Sequence, residues 1–104
     1  MATYVLVYKG GSMAQTEEER NAVMAAWGKW FGELGPAVVD GGNPFGPSAS
    51  VGSDGSVKDG GGSGLTGYSI LKADSLSEAT QKAKGCPVLS SGGSIEVYET
   101  FNAM

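Results

Sequence analysis

An α+β domain, with two helices laid against one face of an antiparallel sheet, is predicted by three features of the sequence. Apolar, β-branched and aromatic stretches open and close the chain, at Thr3 to Tyr8 and Ser94 to Phe101, with a third at Thr66 to Ala73. Two further stretches have helical periodicity, and each begins with a Ser/Thr-x-x-Glu box, Thr16 to Glu19 and Ser75 to Glu78. The 18 glycines gather mainly between Gly35 and Gly67 with no repeating period, which marks turns and loops and excludes a collagen-like chain.

The first strand carries Val5 and Val7 on one face and Tyr4, Leu6 and Tyr8 on the other. A half-solvated strand alternates apolar with polar, so this one should be covered on both sides. After Lys9-Gly10-Gly11-Ser12 the first helix begins at the Thr16 box, where three glutamates complement the positive end of the helix dipole. Val23, Trp27, Trp30, Phe31 and Leu34 define its apolar stripe, with Arg20 and Lys29 on the wet side. Gly28 and Gly32 each weaken the helix by ~1 kcal/mol relative to alanine. Close approach of a neighbouring backbone would compensate. Gly35 should supply a left-handed cap and Pro36 a stop.

Ala37 to Asp40 reads as a short strand, followed by the turn Gly41-Gly42-Asn43-Pro44. Ser48 to Gly52 reads as an edge segment, Ser53 to Ser56 as a turn, and Asp59 to Gly64 as the most mobile stretch, having no apolar side chain to offset its ordering entropy. In the second helix Leu76, Ala79, Thr80 and Ala83 form the inner face, Lys82 and Lys84 suit the last turn, and Gly85 should cap it. In the final strand Ile95, Val97 and Phe101 share one side, with Tyr98 on the other.

The order strand, helix, strand, strand, helix, strand is the split βαβ arrangement of a ferredoxin-like fold. Two helices cover only one face of such a sheet, and large apolar side chains lie on both. Burying each is worth ~1.5–3 kcal/mol. The sequence therefore predicts a homodimer packed through the uncovered face about a two-fold axis.

Composition narrows the function. At 104 residues the chain should be one domain spanning residues 1–104. Its net charge is −4 and its seven Lys and Arg are scattered, whereas a nucleic-acid binder clusters cations against phosphates. No apolar run approaches the ~20 residues a membrane-spanning helix needs. With one cysteine and no secretory pattern after Met1, a cytoplasmic protein is expected. The absence of histidine excludes histidine acid–base catalysis, Ser-His-Asp triads and histidine metal ligation; neither metal nor cofactor is expected.

Thr3 to Tyr8, the Trp27 to Leu34 helix end, Val39-Asp40-Gly41-Gly42, Gly67 to Leu71, Ala73 to Leu76, Gly85-Cys86-Pro87 and Ser94 to Tyr98 together resemble the YCII-related family. The resemblance spans nearly the whole chain. It implies a dimeric α/β barrel of two ferredoxin-like units, with a small cleft beside the sheet. Many members carry Asp-Gly-Pro-Phe where this chain has Asp59-Gly60-Gly61-Gly62. The His–Asp pair proposed as catalytic in some members does not carry over, and leaves Asp40 without its partner.

Candidate site residues follow. Trp27 and Trp30 can wall an aromatic pocket or fill the core, whereas the spacing of Phe31 and Leu34 favours the core. The indole N–H groups need acceptors, and Asp40, Asn43 or Tyr68 are near in sequence or fold. Asp40 is a candidate base if buried and a plain strand-end acid if exposed. Asp40 and Tyr68 are the catalytic candidates; Trp27, Trp30, Asn43 and Tyr68 are the ligand-binding ones. Gly60 to Gly64 lacks the Lys-Ser/Thr ending of a phosphate loop, and Cys86, after a helix C-terminus, reads as a small buried residue. The expectation is a protein that binds a small, partly aromatic molecule, with or without catalysis. The alternative is a non-catalytic protein whose aromatic residues serve only packing.

Overall fold

The structure, a computed structural model, describes residues 1–11, 15–61 and 64–101. Among the described residues there are six strands, β1 (Ala2–Lys9), β2 (Val38–Asp40), β3 (Ala49–Val51), β4 (Val57–Asp59), β5 (Leu65–Ala73) and β6 (Ser94–Thr100), and two α-helices, α1 (Glu17–Leu34) after β1 and α2 (Leu76–Ala83) after β5. The main sheet has the order β2-β5-β1-β6, with every neighbouring pair antiparallel. This is the ferredoxin-like order expected from the sequence.

Both helices start as their capping boxes require. Thr16 accepts from the Glu19 amide at 3.0 Å and Ser75 from the Glu78 amide at 3.1 Å. The return contacts reach one residue further back than the standard box: Glu19 accepts from the Gln15 amide and Glu78 from the Asp74 amide.

Register decides which sheet face the helices cover. Tyr4 lies opposite Leu71 and Glu99, Leu6 opposite Ser69 and Val97, and Tyr8 opposite Gly67 and Ile95. Directly paired residues share a face, and Tyr4, Leu6, Tyr8, Ser69 and Leu71 are buried there with Trp30, Ala79, Ala83, Cys86 and Val88. Val5, opposite Ile70 and Tyr98, and Val7, opposite Tyr68 and Glu96, belong to the other face, which stays open to solvent.

Several local expectations are corrected. Among the described residues nothing lies within 4 Å of a side chain at Gly28 or Gly32, so neither meets a neighbouring backbone there. Val23 and Leu76 are exposed, as is Phe101, which lies beyond the end of β6. Gly35 has positive φ but a ψ of −130°, outside the left-handed helical well, and leads into a 3-10 turn at Gly35–Ala37. Gly85 is not left-handed; a side chain there would come within 3.0 Å of the Trp30 ring, which explains its glycine by contact. The edge segment does not join the main sheet: β3 pairs with β4 in a separate hairpin, turned by residues 53–56. Of the stretch expected to be most mobile, residues 62 and 63 lie outside the described residues.

The accessible surface is 7070 Å², against about 5,400 Å² for a compact monomer of this mass. The radius of gyration is 15.2 Å, against about 13 Å for a compact chain of this length. The molecule is a slab only 18 Å thick. Among the described residues no helix is long and apolar enough to cross a membrane.

Candidate functional site

The last turns of α1 carry three large rings because the apolar stripe repeats at three and four residues there. Trp27 meets Tyr8 edge-on at 5.3 Å, Trp30 edge-on at 5.7 Å and Phe31 at a tilt, also 5.7 Å. A cleft of about 460 Å³ opens beside this cluster, between α1, the residue 41–44 turn and the start of β5. Trp27, Tyr8, Phe31 and Met24 form one side, and Asn43, Pro44, Thr66 and Tyr68 the other, with Val88 also in the lining. That volume falls in the range of small-molecule sites, and the wall is mostly apolar with few polar groups, as such sites usually are.

The turn bordering the cleft is held by a buried polar chain. Tyr8 donates to the Ser69 hydroxyl at 2.6 Å, and Ser69 donates to the Gly41 carbonyl at 2.7 Å. The Cys86 thiol faces the Tyr8 hydroxyl at the other end. Burial pushes the Tyr8 phenol far above its ordinary range, and it raises the Cys86 thiol too, so both stay protonated. Cys86 is the buried residue expected. Gly42 donates its amide to the Asp40 carboxylate at 2.8 Å, and Phe45 donates its amide to the Thr66 carbonyl at 2.9 Å, closing the turn on β5.

Of the ligand-binding candidates, Trp27, Asn43 and Tyr68 come together at this cleft and Trp30 does not. Trp30 is 4% exposed and its indole donates to the Lys82 carbonyl at 3.1 Å, not to Asp40, Asn43 or Tyr68. It is a core residue that reaches only the adjoining, wider depression on α1, where Lys29 and Glu33 also lie. Asp40 is exposed and outside the lining; besides Gly42 it accepts a long bond from the Tyr68 hydroxyl at 3.4 Å. The strand-end reading of Asp40 therefore fits its place in the fold. The Tyr68 ring also stacks on Phe45 at 5.9 Å.

Trp27 differs from Trp30 in one respect. Among the described residues no acceptor meets its indole N–H, and no buried side-chain polar atom is left unpartnered, so this N–H keeps contact with solvent, on a ring that lines both the cleft and the adjoining depression. Tyr8, Phe31, Thr66 and Val88 were not singled out by sequence as cleft residues. The available signal was Tyr8, an aromatic at the end of a strand whose alternation puts it on the helix side.

No protein-family model and no curated protein matches the chain. Among solved structures it is similar to the 5-chloro-2-hydroxyhydroquinone dehydrochlorinase (TftG) of Burkholderia phenoliruptrix AC1100, determined in complex with 2,5-dihydroxybenzoquinone. The identity is 18% and the TM-score 0.55, covering 96% of this chain and 95% of that one. At that identity the likeness shows a shared fold.

Proposed function

We propose that the chain is a homodimer of YCII-like type that binds a small, partly aromatic molecule in the cleft walled by Trp27, Asn43 and Tyr68. The observation that carries this reading is Trp27. Its ring is half-buried in contact with three other rings, yet its N–H has no protein acceptor among the described residues. A residue serving only the core would have its polar atom paired, as Trp30 has. The similarly folded dehydrochlorinase holds an oxygenated single ring, and a cleft of about 460 Å³ has room for one. Tyr68 reaches the cleft from the uncovered sheet face, beside Val7, and its hydroxyl donates to Asp40 at 3.4 Å. Dimerisation rests on the open sheet face and on the accessible surface in excess of a compact monomer. The acidic composition and lone buried cysteine suit a cytoplasmic setting.

Calorimetric titration of oxygenated aromatic compounds tests this. Saturable binding that Trp27→Ala abolishes is expected. Failure of every compound to bind, with Trp27→Ala lowering thermal stability alone, would leave packing as the whole role of these rings. That second reading is favoured by one observation, the fully paired and buried Trp30.

A further inference from the structure

We infer that the cleft selects uncharged, flat aromatic molecules bearing a hydrogen-bond acceptor, and discriminates against both anionic and cationic analogues. This rests on the reading of the cleft as a ligand site and adds the class of ligand. Among the described residues none of those lining the cleft is Lys, Arg, Asp or Glu, and the chain has no histidine. Tyr8, the lining group whose ionisation is perturbed, is held neutral by burial, and its proton is committed to Ser69. An anion entering this wall would lose hydration with no cation to replace it, in a chain whose net charge of −4 already opposes it.

A cation is drawn by the net charge and by the ring faces, but no carboxylate in the lining replaces the hydration it loses. The nearest carboxylate identified, Asp40, is outside the lining and already accepts from the Gly42 amide and the Tyr68 hydroxyl. Lys29 and Glu33 line the adjoining, wider depression, which shares Trp27, Pro44, Thr66 and Val88 with the cleft, and are not in the cleft lining itself. What the cleft does offer is hydrogen bonding. The Trp27 indole is a donor only, and the Asn43 carboxamide, with no side-chain partner among the described residues, can donate and accept. Thr66 donates its hydroxyl to the Gly10 carbonyl at 3.2 Å and keeps only acceptor capacity. A planar ring against Trp27 and Phe31, with a carbonyl or ether oxygen for the indole N–H, fits these groups.

The protein has two tryptophans, so its amide spectrum contains two indole N–H signals, and Trp27→Phe assigns them. The probes are 2-acetylnaphthalene, 2-naphthoate and 2-naphthylmethylammonium, which share one ring system and differ in charge. The ketone should shift the Trp27 signal and leave that of Trp30 in place, binding about tenfold or more tightly than either charged analogue. A charged analogue binding as tightly as the ketone would overturn this selectivity while leaving the ligand site standing. No shift at Trp27 with any of the three would overturn both. In Trp27→Phe the ketone should fall several-fold toward the affinity of 2-ethylnaphthalene, which has no acceptor and should be little changed. Unaltered ketone binding there would overturn the role of the indole N–H.

Discussion

At Gly42 the backbone runs at a φ of +76°, and a side chain there would stand 1.7 Å from the Tyr68 carbonyl oxygen. The turn edging the cleft can lie against β5 only because this residue is glycine. Gly42→Ala should lower stability by about 2 kcal/mol or more, since it combines backbone strain with a clash against backbone. Chemical denaturation would show it, and a variant as stable as the parent would mean the turn does not sit this way. Gly85→Ala pushes on the Trp30 ring from 3.0 Å and threatens its bond to Lys82, at an expected cost of ~1–3 kcal/mol. Tyr4 is buried, and its hydroxyl donates to Glu99 at 2.7 Å. That bond, reinforced by desolvation, raises the Tyr4 phenol from 10.0 to about 12. The folded chain keeps this proton in a window where the unfolded chain loses it, so stability present below pH 10 should be lost as pH rises toward about 12. Thermal melts across that window should fall for the parent and fall less for Tyr4→Phe; equal slopes would contradict the linkage. Little at this scale was legible beforehand. Trp27, Asn43 and Tyr68 were placed at a site by residue type, but the partner of Trp30 and the reason for Gly85 depend on how α1 meets α2, which local sequence does not encode.

The elements themselves were legible where local chemistry and periodicity agree. Thr16 with Glu19 and Ser75 with Glu78 fixed both helix starts, and the β-branched and aromatic runs fixed β1, β5 and β6. Spacing alone overextends the buried stripes, putting Val23 and Leu76 inside when both remain outside. Gly28 and Gly32 suggest a close neighbour, and among the described residues none is there. Ser48 to Gly52, short and weakly apolar, reads as an edge segment, but its β3 pairs with the Val57–Asp59 segment and not with the main sheet. Val51 and Val57 pair across this hairpin and both are exposed, and the hydrogen bonds seen from it close within residues 48–61. A two-stranded hairpin alone is marginally stable in water. Trypsin should therefore cut first after Lys58, ahead of Lys72 in the centre of the main sheet, as mass spectrometry of early fragments would reveal. Protection of Lys58 equal to that of Lys72 would show the hairpin to be packed against something.

Over the whole molecule, one sheet face is roofed by helices and the other, with no helix over it, carries the half-buried Val5, Val7, Tyr68 and Ile70 and the exposed Tyr98, with Lys9 and Glu96 paired at 3.2 Å at its edge. An apolar centre beside a polar margin is how interfaces are usually built. Obligate interfaces bury ~2,000 Å² or more in total, about half of it from each partner, and this face is the apolar surface on which a second copy would pack. Ile70→Lys, at the middle of that face and opposite Val5, should dissociate the dimer without touching the cleft lining. The central proposal, a homodimer with an aromatic-binding cleft in each subunit, is tested most directly by sedimentation velocity at micromolar protein with 2-acetylnaphthalene, followed at the naphthyl absorbance. The expected result is one boundary at twice the 10.5 kDa chain mass that carries the naphthyl signal with it. Protein sedimenting at the single-chain mass, with the naphthyl absorbance left behind, would contradict it.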